Sequence, residues 1–355
     1  LITDRTAPTD RRLAALWALE SLSPIPTPLL LSLAADTAPT IRHEAARLAA
    51  AHPRPESEFL SIATPLLADP SPSVRAALGD ALRRVPRASA RIMSLAAQLG
   101  AASLPAVVAP ANPWPRYERE FERYLARWAM ELNPASTSAL LASPEGRALP
   151  LENRILATLA LGGKDAAIGL ARLTPELMRP LGDEEVRALA AHFAEPAVRD
   201  ALSQSLAAAS TRAPVLRALL TLRTSLDPAP LTAALSSATR ALLTSSDDAD
   251  TTLGAQVAGA FKLAATEPEL TALLTRDLAS LLNLKSPISN SPPPAVAALR
   301  ALRENALGPV ATFERLARSS ADASVRDEAL AALAASRAPE APALLVALLP
   351  SLTVA

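Results

Sequence analysis

The sequence predicts an all-α fold, a superhelix of stacked helix pairs, and three observations carry that expectation. Half of the 355 residues are apolar yet only 3% are aromatic, so a core must be built from Leu, Ala and Val. Leu and Ala are the strongest helix formers, and small side chains let helices approach closely. Proline is abundant at 33 residues and glycine scarce at 10. Proline is tolerated in the loop before a helix and in its first turn but not inside it, so this balance predicts many short helices, each opened by a proline. The third observation is self-similarity along the chain.

Four segments align without gaps: RLAALWAL from Arg12, RHEAARLA from Arg42, RAALGDAL from Arg75 and RDEALAAL from Arg326. Asp36 and Asp69 each precede an Arg by six residues, and Pro39 and Pro72 by three. The unit reads D-x-x-P-x-[IV]-R-x-x-A-x-x-x-L, with a shortened version at Asp322. The Asp is placed to cap the second helix of each pair, since a carboxylate accepts backbone N–H groups and suits the positive helix end. The Arg, a turn later, reaches an Asp of its own or the neighbouring repeat. Apolar residues three, four and seven positions after the Arg share one face. Preceding helices are visible in PLLLSLAA at 28–35 and FLSIATPLLA at 59–68. Helix, Asp turn and Arg helix at a period of about 30–35 residues resemble the HEAT and PBS-lyase-like HEAT repeat families, whose armadillo-like solenoids stack such pairs side by side.

The pattern divides the chain in order. Residues 1–100 hold clear repeats, and 101–115, with four prolines and no charge, reads as a linker. Residues 116–285 form a degenerate helical region in which EPAVRDALSQSL, around Arg199, is a worn copy of the unit. SPISNSPPP at 286–294 is a second linker, and 295–355 closes with one or two further repeats.

The most distinctive helix opens the degenerate region. Trp114, Tyr117, Phe121, Tyr124 and Trp128 are half of the chain's ten aromatics, and the last four form a stripe at helical spacing. The stripe reads either as a docking surface for another domain or as a locally enlarged core. Helical spacing favours core. The charged residues Glu118, Arg119, Glu120, Glu122, Arg123 and Arg127 are expected on the solvated faces, as i,i+4 pairs rather than a phosphate grip.

No catalytic, cofactor or metal site is expected. There is no Cys, which excludes disulfides, thiol catalysis and covalent c-type haem within this chain. His43, His52 and His192 have no metal-ligand spacing. Gly162, Gly163 and Lys164 lack the remainder of a phosphate loop and read as a helix C-cap. Asp247, Asp248 and Asp250 read as a loop and helix cap. Net charge is zero, with 35 basic and 35 acidic side chains, so nothing suggests nucleic-acid capture. No apolar run is long enough to cross a membrane.

RRLAALWALESL (11–22), DPSPSVRAALGDAL (69–82), EREFERYLARWAMELNP (118–134), LENRILATLAL (151–161) and the closing ADASVRDEALAALAASRAPEAPALLVALLPSL resemble the helical region of large bacterial proteins of the PVC-type haem-binding or membrane-bound-dehydrogenase-like class. That resemblance implies a segment of a larger exported redox protein, in the periplasm or cell envelope, with a β-propeller before it and a C-x-x-C-H haem domain after it. What it implies for this chain is the role of spacer and docking scaffold whose partner is protein, either another domain or a separate chain. The alternative is a HEAT-type binding enzyme, bilin-lyase-like or DNA-glycosylase-like.

Overall fold

The computed structural model describes residues 1–101, 114–283 and 293–349. The linker readings at 101–115 and 286–294 fall almost wholly outside the described residues. Every regular element among the described residues is helical. The fold is all-α and solenoid-like, built of short helices that pack in sequence order. It divides into two compact units between Glu176 and Leu177, inside the stretch read from sequence as the degenerate region.

The first unit holds α1 (Thr9–Leu22), α2 (Thr27–Ala34), α3 (Pro39–Ala49), α4 (Glu56–Ala63), α5 (Pro72–Arg84), α6 (Ala90–Ala101), α7 (Trp114–Leu132), α8 (Pro134–Ala142), α9 (Pro144–Ala148), α10 (Leu151–Leu161) and α11 (Gly163–Leu173). Proline stands immediately before or within the first two positions of α1, α2, α3, α4, α5, α8, α9 and α10, where the missing N–H costs no helical hydrogen bond. Between α10 and α11, Gly162 and Gly163 adopt positive φ of 67° and 55°, which reverses the chain at the cost of no Cβ clash.

Helices α1, α3, α5 and α7 form one layer, each packed on the next, with α2 and α6 behind α3 and α7. Between them lies a continuous core of Leu, Ala and Ile that extends from Leu16 to Ala160. Small residues set its helix spacing. A Cβ on Gly79 of α5 would stand 2.9 Å from the Cβ of Leu125 on α7, too near the backbone for either to swing away. Gly79→Val is therefore expected to push α7 off α5 and destabilise the unit by about 1–3 kcal/mol, read as a lower urea midpoint by circular dichroism. Gly79→Ala is expected to cost less, because its helix propensity offsets part of the crowding.

The second unit holds α12 (Asp183–Ala190), α13 (Pro196–Ala207), α14 (Ala209–Thr221), α15 (Thr232–Leu243), α16 (Asp248–Ala260), α17 (Glu267–Arg276), α18 (Leu278–Leu282), α19 (Pro294–Asn305), α20 (Val310–Ser319), α21 (Ala323–Ala335) and α22 (Ala341–Leu348). In its C-terminal half a core of Leu, Ala and Val spans Leu243 to Leu348 around Phe313. Asp247 caps α16 by accepting from the N–H groups of Ala249 at 2.7 Å and Asp250 at 3.4 Å. One element departs from the proline rule: Pro214 lies inside α14. That helix begins five residues earlier than the proline suggests, braced by Arg212, which donates to the carbonyls of Leu206 at 3.0 Å and Ala207 at 2.5 Å.

Candidate docking face

The repeat Arg and Asp residues form a ladder along the α1–α3–α5–α7 layer of the first unit. Arg42 of α3 donates through Nε and Nη2 to both carboxylate oxygens of Asp69, at 2.6 and 2.8 Å. Arg12 of α1 makes a forked contact with Asp36 through Nη1 and Nη2, its Nε donating to the Ile2 carbonyl at 2.9 Å, and both side chains are buried. Each Asp therefore serves the Arg of the preceding repeat. The Arg binds its own repeat differently, through backbone. Arg42 donates to the carbonyls of Asp36 at 2.9 Å and Thr37 at 3.1 Å, and Arg75 to that of Asp69 at 2.5 Å. Each guanidinium thus ties its own turn to the next one, using the planar fork that suits a carboxylate.

The expected helix capping needs correction at two of three sites. Asp36 and Asp69 accept from the N–H groups of Ala38 and Ser71, both at 2.9 Å, and these are the residues just before α3 and α5. Neither helix has a side-chain cap. The spacing D-x-x-P places the Asp two residues too early, so it closes the turn instead. In the shortened copy Asp322 stands directly before α21 and does cap it, accepting from Ser324 at 2.8 Å and Val325 at 3.2 Å. Arg326 keeps only the backbone half of the device, donating to the carbonyls of Ser320 at 2.8 Å and Ala321 at 3.2 Å. Arg199, in the worn copy, is exposed.

Helix α7 reverses the expected orientation. Tyr117, Phe121 and Tyr124 are 58%, 43% and 55% exposed, Trp114 is 65% exposed, and Trp128 is half-buried. The stripe is a surface, and the core reading of it is wrong. The face turned inward carries Arg119, Glu122, Leu125, Ala126, Ala129 and Met130. Glu122, expected in solvent, is fully buried and accepts from Arg75 Nε at 3.0 Å, Arg75 Nη2 at 2.9 Å and Arg119. Arg119 also donates to the carbonyl of Leu99 at the end of α6. The physical reason is twofold. No D-x-x-P turn follows Arg75, so α7 supplies the missing carboxylate from within a helix. Gly79 of α5 and Gly100 of α6 also let Leu125 and Ala126 of α7 approach closely, which a row of aromatic rings would prevent.

The rings meet in two groups along the helix. Trp114 and Tyr117 meet edge to face with centroids 5.8 Å apart, Phe121 and Tyr124 are stacked at 6.4 Å, and Tyr124 and Trp128 lie 5.7 Å apart. The Arg83 guanidinium of α5 lies 4.1 Å from the Trp128 ring centre, a cation–π contact that fixes one end of the second group. The same layer carries a second exposed aromatic that sequence reasoning overlooked. Trp17 of α1 is 51% exposed and donates Nε1–H to Glu44 of α3 at 3.1 Å. Arg47 bridges Glu44 and Glu20, at 2.8 and 2.5 Å, and its hydrogen bonds hold the Glu20 carboxyl below its ordinary pKa. The signal was present in the alignment, since Trp17 and Arg47 occupy the same position five residues after their repeat Arg.

Other charged groups among the described residues are tied up in ion pairs, as Arg300 and Arg303 are with Glu328. A groove of about 980 Å³ between α8, α10 and α11 holds Arg147, Arg154, Arg172, Asp165 and Glu176, but Arg154 is forked onto Glu176 at 2.7 and 2.9 Å. His43 lies 3.0 Å from the Ser73 carbonyl through Nδ1, and His52 and His192 are half-buried in separate places. Among the described residues no group of three or more His, Asp or Glu side chains is placed to hold a metal ion, and no helix is long and apolar enough to cross a membrane.

No protein-family model matches the chain, and no curated protein matches it. Among solved structures, an engineered protein is 16% identical, with 94% of this chain and 97% of that chain covered, at a TM-score of 0.38. At that similarity it carries no argument about function.

Proposed function

We propose that this chain is a non-catalytic helical-repeat scaffold that mediates protein–protein or interdomain contact, and that the aromatic face of α7 is where it docks. The observation that carries the reading is the pairing of exposure with rigidity on one helix. Four large aromatic rings stand in solvent while the opposite face of the same helix is locked by Glu122 into two arginines. Rigid, exposed Trp and Tyr side chains are the type that anchors protein interfaces, because they bury much apolar area at little entropic cost. The repeat pattern supports a HEAT-type solenoid, and the family resemblance supports a place within a larger exported redox protein of the cell envelope. The zero net charge and the paired arginines support protein rather than nucleic acid as the partner.

The reading is tested by placing a photo-crosslinking phenylalanine analogue at Tyr124, with Met178, fully exposed in the second unit, as the control position. Irradiation in extract of the native cell is expected to give a discrete adduct from position 124 alone. Excess unlabelled chain should compete it away, and excess chain carrying Phe121→Glu and Tyr124→Glu should not. Equal adducts from both positions, or none from position 124, would sink the docking reading.

A further inference from the structure

We infer that the aromatic face of α7 is a two-fold interface, and that what covers it is the antiparallel α7 of a second copy of this chain. The inference rests on the docking reading above and names its partner. Positions 114, 117, 121, 124 and 128 alternate spacings of three and four, which is the seam of a helix-to-helix contact rather than of a flat surface. Its last four positions are symmetric about their centre. An antiparallel copy that sets Phe121 beside Tyr124 also sets Tyr117 beside Trp128, so these four rings each find a ring, while Trp114 falls at the rim, beside position 131.

The charges beside the seam choose the orientation. On one flank the order along the helix is Arg116, Glu120, Arg127, Glu131, already joined in pairs by ion contacts of 2.8 and 2.7 Å. Read backwards, that row is its own complement. In an antiparallel pair the same flanks face each other, so Arg116 meets Glu131 of the second copy and Glu120 meets its Arg127, and both contacts occur twice. A parallel pair would set this flank against the other, whose exposed residues Glu118 and Leu132 offer one charge where the antiparallel pair offers four. All four side chains are solvent-accessible, at 50%, 48%, 29% and 44%, and so are available to extend their pairs across an interface.

The area is of the right order. At about 150–250 Å² per aromatic side chain, the exposed fractions of Trp114, Tyr117, Phe121 and Tyr124 amount to roughly 300–550 Å². That is as large as the largest apolar patch on a typical monomer. With the charged flank it approaches the ~800 Å² per partner of a standard interface.

Sedimentation velocity of the full chain across about 1–100 μM tests this. The expected result is a shift from a 36.9 kDa monomer to a dimer, abolished by Phe121→Glu with Tyr124→Glu at unchanged helicity. Glu120→Arg alone and Arg127→Glu alone are each expected to weaken the dimer at least tenfold, because like charges then face each other twice. Mixing those two variants should restore a heterodimer, and combining both changes in one chain should restore the homodimer. A chain that stays monomeric throughout, or a dimer indifferent to the stripe, overturns the inference. So does failure of the mixed variants to rescue. If it stays monomeric while position 124 crosslinks to a different protein, the second copy is refuted and the docking reading stands. If neither dimer nor adduct forms, both fall.

Discussion

Glu122→Ala is expected to be among the most destabilising single substitutions in the first unit, by about 3–5 kcal/mol. Glu122 is fully buried and accepts hydrogen bonds from two guanidinium groups, Arg75 and Arg119. Removing it takes the facing carboxylate from Arg119, itself buried, and from Arg75, whose guanidinium otherwise donates to the Asp69 carbonyl. Uncompensated buried charge costs far more than the lost pair contributed, which is why breaking such a pair is worse than replacing it whole. Glu122→Gln keeps an acceptor for one arginine and is expected to fall between wild type and Glu122→Ala. The measurement is urea unfolding by circular dichroism, with Glu118→Ala, on the exposed face, as the control expected within about 0.5 kcal/mol. If Glu122→Ala behaved like Glu118→Ala, the ladder would not hold α7 in place, and the rigidity on which the docking reading rests would be gone.

The contrast between Glu122 and the aromatic stripe shows how much of this molecule is legible in its sequence. The repeat motif locates α3 and α5 and pairs the right residue types, because D-x-x-P and Arg at fixed spacing are local signals. It does not say which Asp an Arg reaches, and the partner proves to be one repeat ahead, 24 residues on for Arg12 and 27 for Arg42. For α7 local reasoning fails in principle. A helix with aromatics on one face and Ala126, Ala129 and Met130 on another has two apolar stripes, and period alone does not say which is inside. What decides is non-local: Arg75 lies 47 residues before Glu122 and needs a carboxylate, and Gly79 of α5 opens the space that Leu125 on the same face of α7 fills. A close look at the alignment would have shown that the third repeat Arg lacks its following Asp, and an unassigned Glu on the next helix was the available remedy.

The same ladder makes the first unit acid-sensitive, and Asp69 is the residue through which this is best seen. Burial pushes the Asp69 carboxyl up, but the hydrogen bonds from Arg42 and the Ser71 N–H, with the charges of Arg42 and Arg75, more than offset it and hold the pKa below its ordinary value. Asp36 is lowered in the same way, against burial, by Arg12, the Ala38 N–H and Arg5. A carboxylate whose folded pKa lies below its unfolded one binds fewer protons when folded. Its stabilisation is complete above the unfolded value of about 4 and disappears as pH falls through the depressed folded value. Asp69→Asn retains an acceptor for the Ser71 N–H but removes the charge that faces Arg42. It is therefore expected to cost about 3 kcal/mol or more at pH 7, the range for breaking a buried pair. The cost should shrink steadily below about pH 4, where the carboxylate of the unfolded wild-type chain takes up a proton before the folded one does. Urea midpoints of the two proteins measured from pH 7 down to pH 3 are expected to converge. A constant gap across that range would mean that Asp69 acts through its turn geometry alone, and that the charge seen facing Arg42 contributes nothing to holding one repeat on the next.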